Sequence, residues 1–179
     1  LYKVFKYKAR ESLPQNSIIY SLKQDNRRDV FNFCADELSS AILASTTDFE
    51  NTVITNIPRR KLAINKYGYD HAKVLAKYLA KRLNVEYISL LRSKSQKSQK
   101  QMNSKQRLEN VSFEIINEDL DLSNKTVIIV DDVVTTGTSM GVASLLIRSL
   151  GAKRIFGATM SIAYRDDKLI LDTSDRFNK

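Results

Sequence analysis

Two adjacent carboxylates, Asp131 and Asp132, follow four apolar residues, Val127 to Val130, and precede Val133, Val134 and the turn Thr135-Thr136-Gly137-Thr138-Ser139. The apolar quartet is too short and too β-branched for a helix and predicts a strand buried on both faces. From Met140 to Leu150 the apolar spacing is helical. A strand, a hydroxyl-rich turn and a helix start in that order make an anion pocket. Backbone N–H groups point outward there, the helix dipole favours negative charge, and Thr and Ser hydroxyls add donors. Gly137 permits a positive φ or a close approach to the ligand. Carboxylates repel phosphate, so a ligand meeting both features carries phosphate at one end and hydroxyls or a metal near the other. A phosphorylated ribose does so, its 5′-phosphate on residues 135–139 and its 2′- and 3′-hydroxyls donating to Asp131 and Asp132. The plain alternative is a surface turn with two solvated aspartates.

The elements around this run read as strands alternating with helices. Leu1 to Ala9 is expected to be an edge strand. Ser12 could cap a helix with Pro14 in its first turn, and Arg27 to Ser45 carries a helical stripe of Val30, Phe31, Cys34, Leu38 and Ile42. Cys34 falls on that stripe, as a buried structural thiol would. Thr52 to Ile57 is a further strand, running into the basic loop Pro58-Arg59-Arg60-Lys61, with Leu62 to Lys66 as a spacer before Gly68. A helix from Asp70 to Leu83 buries Ala72, Leu75, Leu79 and Leu83 and turns Lys73, Lys77, Lys81 and Arg82 elsewhere, beyond the ligand crest. His71, in its first turn, has no companion ligand for a metal and is expected to be exposed. Val85 to Leu91 is another strand, and β character resumes at Ser112 to Ile116. Between them, Arg92 to Asn110 is polar and rich in Ser, Gln and Lys, the composition of a flexible loop; at that length it is more often a lid than filler. Gly151 ends the Met140 helix, and Arg154 to Ala163 is the last strand. The whole predicts an α/β fold with a doubly wound, mostly parallel sheet, both ligand loops opening at the carboxyl ends of strands.

The chain has 179 residues, 42% of them hydrophobic, with 5 glycines and 2 prolines, as befits one domain with one sizeable core. No apolar run is long enough to span a bilayer and no secretory pattern opens the chain. A single cysteine excludes an internal disulfide framework and a cysteine-based zinc site, in keeping with a cytoplasmic protein. The first residue is Leu1, so a further N-terminal piece is expected. Net charge is +9, but Arg59 to Arg107 holds 14 Lys/Arg against two acids, a surplus of 12, leaving −3 elsewhere. Such a block points to a polyanion, whether pyrophosphate, nucleotide or nucleic acid, although many of its lysines would serve simply as a solvated face. No Walker-type GxxxxGK[ST] occurs.

VIIVDDVVTTGTS, Val127 to Ser139, resembles the thirteen-residue phosphoribosyl-diphosphate (PRPP) motif of type I phosphoribosyltransferases. Within that superfamily the chain resembles the ComF competence family, through NIPRR and through YGYDHAKVLAKYLAKRL after it. Gly68 and Tyr69 match the Gly-Phe of that family's box; Asp70 and His71 stand where Asn and Gln are usual, and Tyr67 replaces an arginine. Ser98, Gln99, Met102, Arg107 and Asn110 fit the family's basic loop, with one gap closed up. The family's paired-cysteine zinc ribbon is absent from this chain.

The resemblance implies a phosphoribosyltransferase-type domain over residues 1–179 with PRPP as ligand. It makes Asp131, Asp132, Arg59 and Arg60 the catalytic set. Pro58, Lys61, Val133, Val134, Thr135, Thr136, Gly137, Thr138 and Ser139 complete the substrate-binding set. Arg59, Arg60 and Lys61 would neutralise departing pyrophosphate, and Lys94, Lys97, Gln99, Lys100, Lys105 and Arg107 would close as a lid. Mg²⁺ is the expected cofactor, carried mainly by pyrophosphate and ribose oxygens, with Asp131 the one protein atom set considered as a direct contact. The resemblance also implies a role in DNA uptake during natural transformation, other competence proteins as partners, and an oligomer among the possibilities. A second reading is a non-catalytic PRPP sensor whose basic segment, Lys73, Lys77, Lys81 and Arg82 with Tyr67, Tyr69 and Tyr78 nearby, binds single-stranded DNA. A receiver-type phosphoacceptor domain would explain the aspartates but not the TTGTS turn.

Overall fold

In the computed structural model, which describes residues 1–7, 14–46, 48–94, 113–165 and 168–169, the 127–130 quartet lies in the middle strand of the sheet. That strand, β6 (Thr126–Val134), is flanked by β2 (Thr52–Asn56) and β7 (Arg154–Arg165), both parallel to it. β1 (Tyr2–Tyr7) adds to the far side of β7 and β3 (Glu86–Tyr87) to the far side of β2, giving the parallel order β1-β7-β6-β2-β3. The short β8 (Lys168–Leu169) folds back antiparallel on β7. A separate antiparallel pair, β4 (Leu91–Ser93) and β5 (Phe113–Ile115), brackets residues 94–112.

Five helices among the described residues cover the sheet: α1 (Pro14–Gln24), α2 (Arg28–Leu43), α3 (Lys61–Tyr67), α4 (His71–Leu83) and α5 (Thr138–Ser149). Strand side chains alternate between faces, and the core divides accordingly. Ile54, Ile128 and Val130 pack with Ile19 and Leu22 of α1, Phe31 and Leu38 of α2, and Leu75 and Leu79 of α4. Val53, Val127 and Ile129 pack on the other side with Met140, Ala143 and Ile147 of α5 and with Leu91 and Phe113. A continuous apolar run is thus buried on both faces, and the expected α/β architecture is the one observed.

Three local expectations change. Residues 62–66, read as a spacer, belong to α3, which is closed by Gly68 in the left-handed region at φ 79°. Val85–Leu91 is not one strand: β3 takes two residues in the main sheet, and the chain then leaves to build β4. Asp70 precedes α4 as its N-cap, its carboxylate accepting from Lys73 N at 3.1 Å. Ser12, the expected cap of α1, lies outside the described residues.

Cys34 is fully buried on α2, and burial pushes its thiol up to about 12. Its native-state alkylation at neutral pH is expected to be at least ~100-fold slower than in denaturant, because the thiolate is the reactive form. Stopped alkylation followed by mass measurement checks this; equal rates in the two states would contradict it.

Candidate functional site

β2 and β6 run side by side with Asn56 opposite Val130, and Ile57 N donates to Val130 O at 2.9 Å. The loop leaving β2 and the last four residues of β6 therefore emerge at one edge of the sheet. Residues 135–137 turn the chain into α5, with Gly137 at φ 75° in its N-cap position. Gly137 offers no side chain to cap this helix; Thr138 N donates at 3.5 Å to Thr136 Oγ1, and the first-turn N–H groups after it are directed at the turn. Thr136 and Thr138 face each other across it, Oγ1 to Oγ1 at 2.9 Å. Asp131 and residues 133–140 line a small pocket here, which has the donors and the size class for a phosphate group.

The two carboxylates do not share this pocket. β6 remains extended through Val134, so adjacent side chains point to opposite faces. Asp131 opens to the pocket beside α5. Asp132 is turned under α1 and α4 and is only 6% exposed. Its Oδ2 is 2.8 Å from Lys23 Nζ and its Oδ1 is 3.3 Å from His71 Nε2. The expectation that both carboxylates meet the ligand edge at the surface is corrected for Asp132, as is the expected exposure of His71, which is 7% exposed.

Their electrostatics diverge in the same way. Burial, then the neighbouring Asp132 charge, holds the Asp131 carboxyl well above the usual carboxylate range. Burial would raise Asp132 too, but the His71 hydrogen bond and the Lys23 charge outweigh it and hold that carboxyl below the usual range. The backbone couples the pair: Asp132 N donates to Asp131 Oδ1 at 2.9 Å, and Thr159 Oγ1 donates to Asp132 O at 3.0 Å.

The basic loop has its own anchoring. Arg59 N donates to Asp70 Oδ2 at 3.0 Å, while its guanidinium reaches Lys23 O and Tyr69 O and lies 4.5 Å from the Tyr67 ring centroid. Arg60 stands at the N-cap position of α3 without a side-chain capping bond and is exposed. Pro58, Arg59 and Lys61 line an open cleft of about 450 Å³ whose far wall includes Ser89, Arg92 and Ser93. Lys73 lines it too, so the expectation that this lysine stands beyond the ligand crest is corrected. The first turn of α4 packs beside the β2 loop through the Asp70 cap, which carries Lys73 inward.

The other basic positions are spread differently. Lys77 stands over the Tyr87 ring, Arg82 pairs with Asp36 and Asn32, and Lys81 is exposed. Tyr69 is tied to Leu22 O and Asn26 N through its hydroxyl, and Tyr78 packs on Phe31. Lys94 is exposed at the end of the described segment; Lys97, Gln99, Lys100, Lys105 and Arg107, with the rest of the expected lid, lie outside the described residues. Lys23 was not anticipated at all. Its only sequence signal is a basic residue in the last turn of a helix, which ordinarily answers to the dipole.

A parallel α/β sheet with a small hydroxyl-lined pocket at the end of its middle strand and a basic cleft at the next strand places both openings where doubly wound α/β domains bind their ligands. A family model described as phosphoribosyl transferase domain matches residues 62–172, more than half of the chain, and the chain belongs to that family. A ribose-phosphate pyrophosphokinase of Thermococcus kodakarensis is 42% identical over 52 residues, 29% of this chain and 19% of that protein, so the match spans about a fifth of the curated relative's length. Among solved structures, an adenine phosphoribosyltransferase from Rhodothermus marinus superposes with a TM-score of 0.51 at 16% identity, over 76% of this chain and 69% of that one. A purine phosphoribosyltransferase from Pyrococcus horikoshii gives 0.47 at 22% identity, over 73% of each chain. The Rhodothermus likeness shows the type I phosphoribosyltransferase fold. No helix among the described residues is long and apolar enough to cross a membrane.

Proposed function

We propose that the chain binds Mg-PRPP and transfers its phosphoribosyl group to an acceptor. The observation that carries this reading is the pocket lined by Asp131 and residues 133–140, where a half-buried carboxylate, two threonine hydroxyls and a helix start converge. The 5′-phosphate takes the turn and the N–H groups of α5, and Asp131 accepts from ribose hydroxyls. The pyrophosphate extends into the cleft of Arg59, Lys61 and Lys73 on the neighbouring strand. As the C1–O bond breaks, its electron pair goes to pyrophosphate, and these cations, of which Arg59 is held by main-chain carbonyls, stabilise the charge where it develops. The acceptor's lone pair forms the new bond to C1.

Mg²⁺ suits this donor set. Among the described residues no group of three or more His, Cys, Asp or Glu could hold a metal alone, whereas Mg²⁺ is commonly bound by one or two carboxylates plus substrate phosphates. Asp131 is the carboxylate available for that role, and the ion when bound would neutralise pyrophosphate oxygens. Titration calorimetry with Mg-PRPP, followed by a screen for pyrophosphate release with nucleobases and amines, tests the reading. Absence of heat and of any competition by ribose 5-phosphate would overturn it.

The finer assignment, a ComF-type protein of DNA uptake acting in the cytoplasm, rests on the NIPRR and YGYDHAKVLAKYLAKRL resemblance. Loss of transformation in a strain carrying Asp131→Asn at normal protein level is the result it requires.

Lys73→Gln is expected to weaken pyrophosphate binding roughly three- to tenfold, the effect of about 1 kcal/mol of lost charge interaction. Lys81→Gln, exposed on the same helix, serves as the comparison. Equal calorimetric affinities for both variants and the unaltered protein would remove Lys73 from the cleft's function.

A further inference from the structure

We propose that Lys23 is a positioning residue that sets both halves of the ligand site, its side chain the ribose half and its main chain the pyrophosphate half. The inference rests on the ribose-phosphate reading above and goes beyond it, because Lys23 lies in α1, outside the segment matched by the family model.

The geometry has two arms. Lys23 Nζ meets Asp132 Oδ2 at 2.8 Å, and His71 Nε2 meets the other oxygen, so this buried carboxylate is gripped from two helices. The grip passes to the ligand side through the peptide of Asp132, whose N–H holds Asp131 Oδ1 at 2.9 Å. That bond orients the carboxylate facing the phosphate pocket. In the second arm the Lys23 carbonyl accepts from the Arg59 guanidinium, at 3.4 Å from both Nη1 and Nη2. Tyr69 secures the same corner, its hydroxyl donating to Leu22 O at 2.6 Å and accepting from Asn26 N at 3.1 Å.

An ion pair alone would be consistent with simple glue between helices. Here a single residue contacts one partner adjoining the ribose pocket and another lining the cationic cleft, and both contacts are at least partly shielded from water. A lysine there also compensates Asp132, whose charge would otherwise stand beside a site that must accept anions.

The two arms separate chemically, which makes the inference testable. Lys23→Met removes the ammonium and keeps the carbonyl. It is expected to weaken ribose 5-phosphate binding about ten- to a hundredfold, the scale of losing a charge-assisted hydrogen bond, and to change pyrophosphate binding by no more than about twofold. Lys23→Arg, which keeps the cation, should recover most of the ribose 5-phosphate affinity. His71→Gln, which keeps an N–H donor, should bind better than His71→Ala. Calorimetry with ribose 5-phosphate and with pyrophosphate reads all four variants, with melting temperatures measured alongside. Unchanged ribose 5-phosphate affinity in Lys23→Met would overturn the inference while leaving the ribose-phosphate reading intact, as would equal loss for both ligands in step with a lowered melting temperature. Failure of the unaltered protein to bind ribose 5-phosphate would overturn the reading itself and the inference with it. If Lys23→Met does not fold, the His71→Gln and His71→Ala comparison decides: equal ribose 5-phosphate affinity in that pair overturns the inference.

Discussion

Asp131→Asn is expected to reduce Mg-PRPP affinity at least ~100-fold, because it removes the charge from the carboxylate open to the phosphate pocket. An amide can still accept one hydrogen bond, but it gives up the charge-assisted bonds to ribose hydroxyls and the attraction for Mg²⁺. The raised pKa of this group adds a pH signature. Burial and the neighbouring Asp132 charge favour the protonated form of Asp131, whereas the ligand needs the anion. Affinity should therefore fall as pH drops through the Asp131 pKa, and binding near it should release a proton. Calorimetry in buffers of different ionisation enthalpy measures both. Wild-type affinity in Asp131→Asn would sink the assignment, and the fold should survive the substitution because Lys23 and His71 are not left unpaired.

Asp132→Ala should behave in the opposite way, as a stability mutant. It removes the buried carboxylate that Lys23 and the buried His71 ring share, and because the Lys23 side chain is 35% exposed and can turn to water, the cost is about 1–3 kcal/mol rather than that of a fully buried ion pair. For a chain of this length that lowers the melting temperature by roughly 5 °C. Removing both charges in Lys23→Met/Asp132→Ala should cost less than the sum of the single changes, since the two side chains share one contact. The pH dependence has a definite sign. The folded-state pKa of Asp132 lies below the unfolded value of about 3.9, so its contribution is complete above that value and is lost as pH falls through the folded pKa. Asp131, with its raised pKa, acts in the contrary direction. The Asp132 share is therefore read from the difference between the unaltered protein and Asp132→Asn in denaturant titrations at pH 3 to 7. Differences under about 1 kcal/mol across the series would mean that the ion pair is solvated in solution.

Much of the architecture could be read locally. Val127 to Val130 announces a doubly covered strand because nothing polar interrupts it, and the split of the core into α1/α2/α4 and α5 faces follows from strand alternation. The helix stripes of α2 and α4, the left-handed Gly151 after α5 and the turn before α5, which spans residues 135–137 where 135–139 was expected, were legible for the same reason: each depends on residues a few positions apart. Even the separation of Asp131 from Asp132 was implicit in the two-residue period of a strand. It was missed because strand β6 was expected to end before the carboxylates, and the sheet extends through Val134 instead, where β7 continues to pair with it.

Other features had no local expression. Nothing near Lys23 marks it as the partner of a carboxylate in another element, and nothing near His71 marks it as buried. Both depend on how α1 and α4 pack against the same face of β6. The inward placement of Lys73 likewise depends on Asp70 bonding to the β2 loop as well as to its own helix. The sequence by itself determined most of the strands and helices, the parallel sheet they build and the hydroxyl-rich turn ahead of α5, since these arise from side-chain period and turn chemistry. Only the tertiary structure decided which carboxylate lines the pocket beside α5 and which is held from behind by Lys23 and His71. That choice is made by desolvation and pairing of charges between helices distant in the chain, and local periodicity carries no information about it.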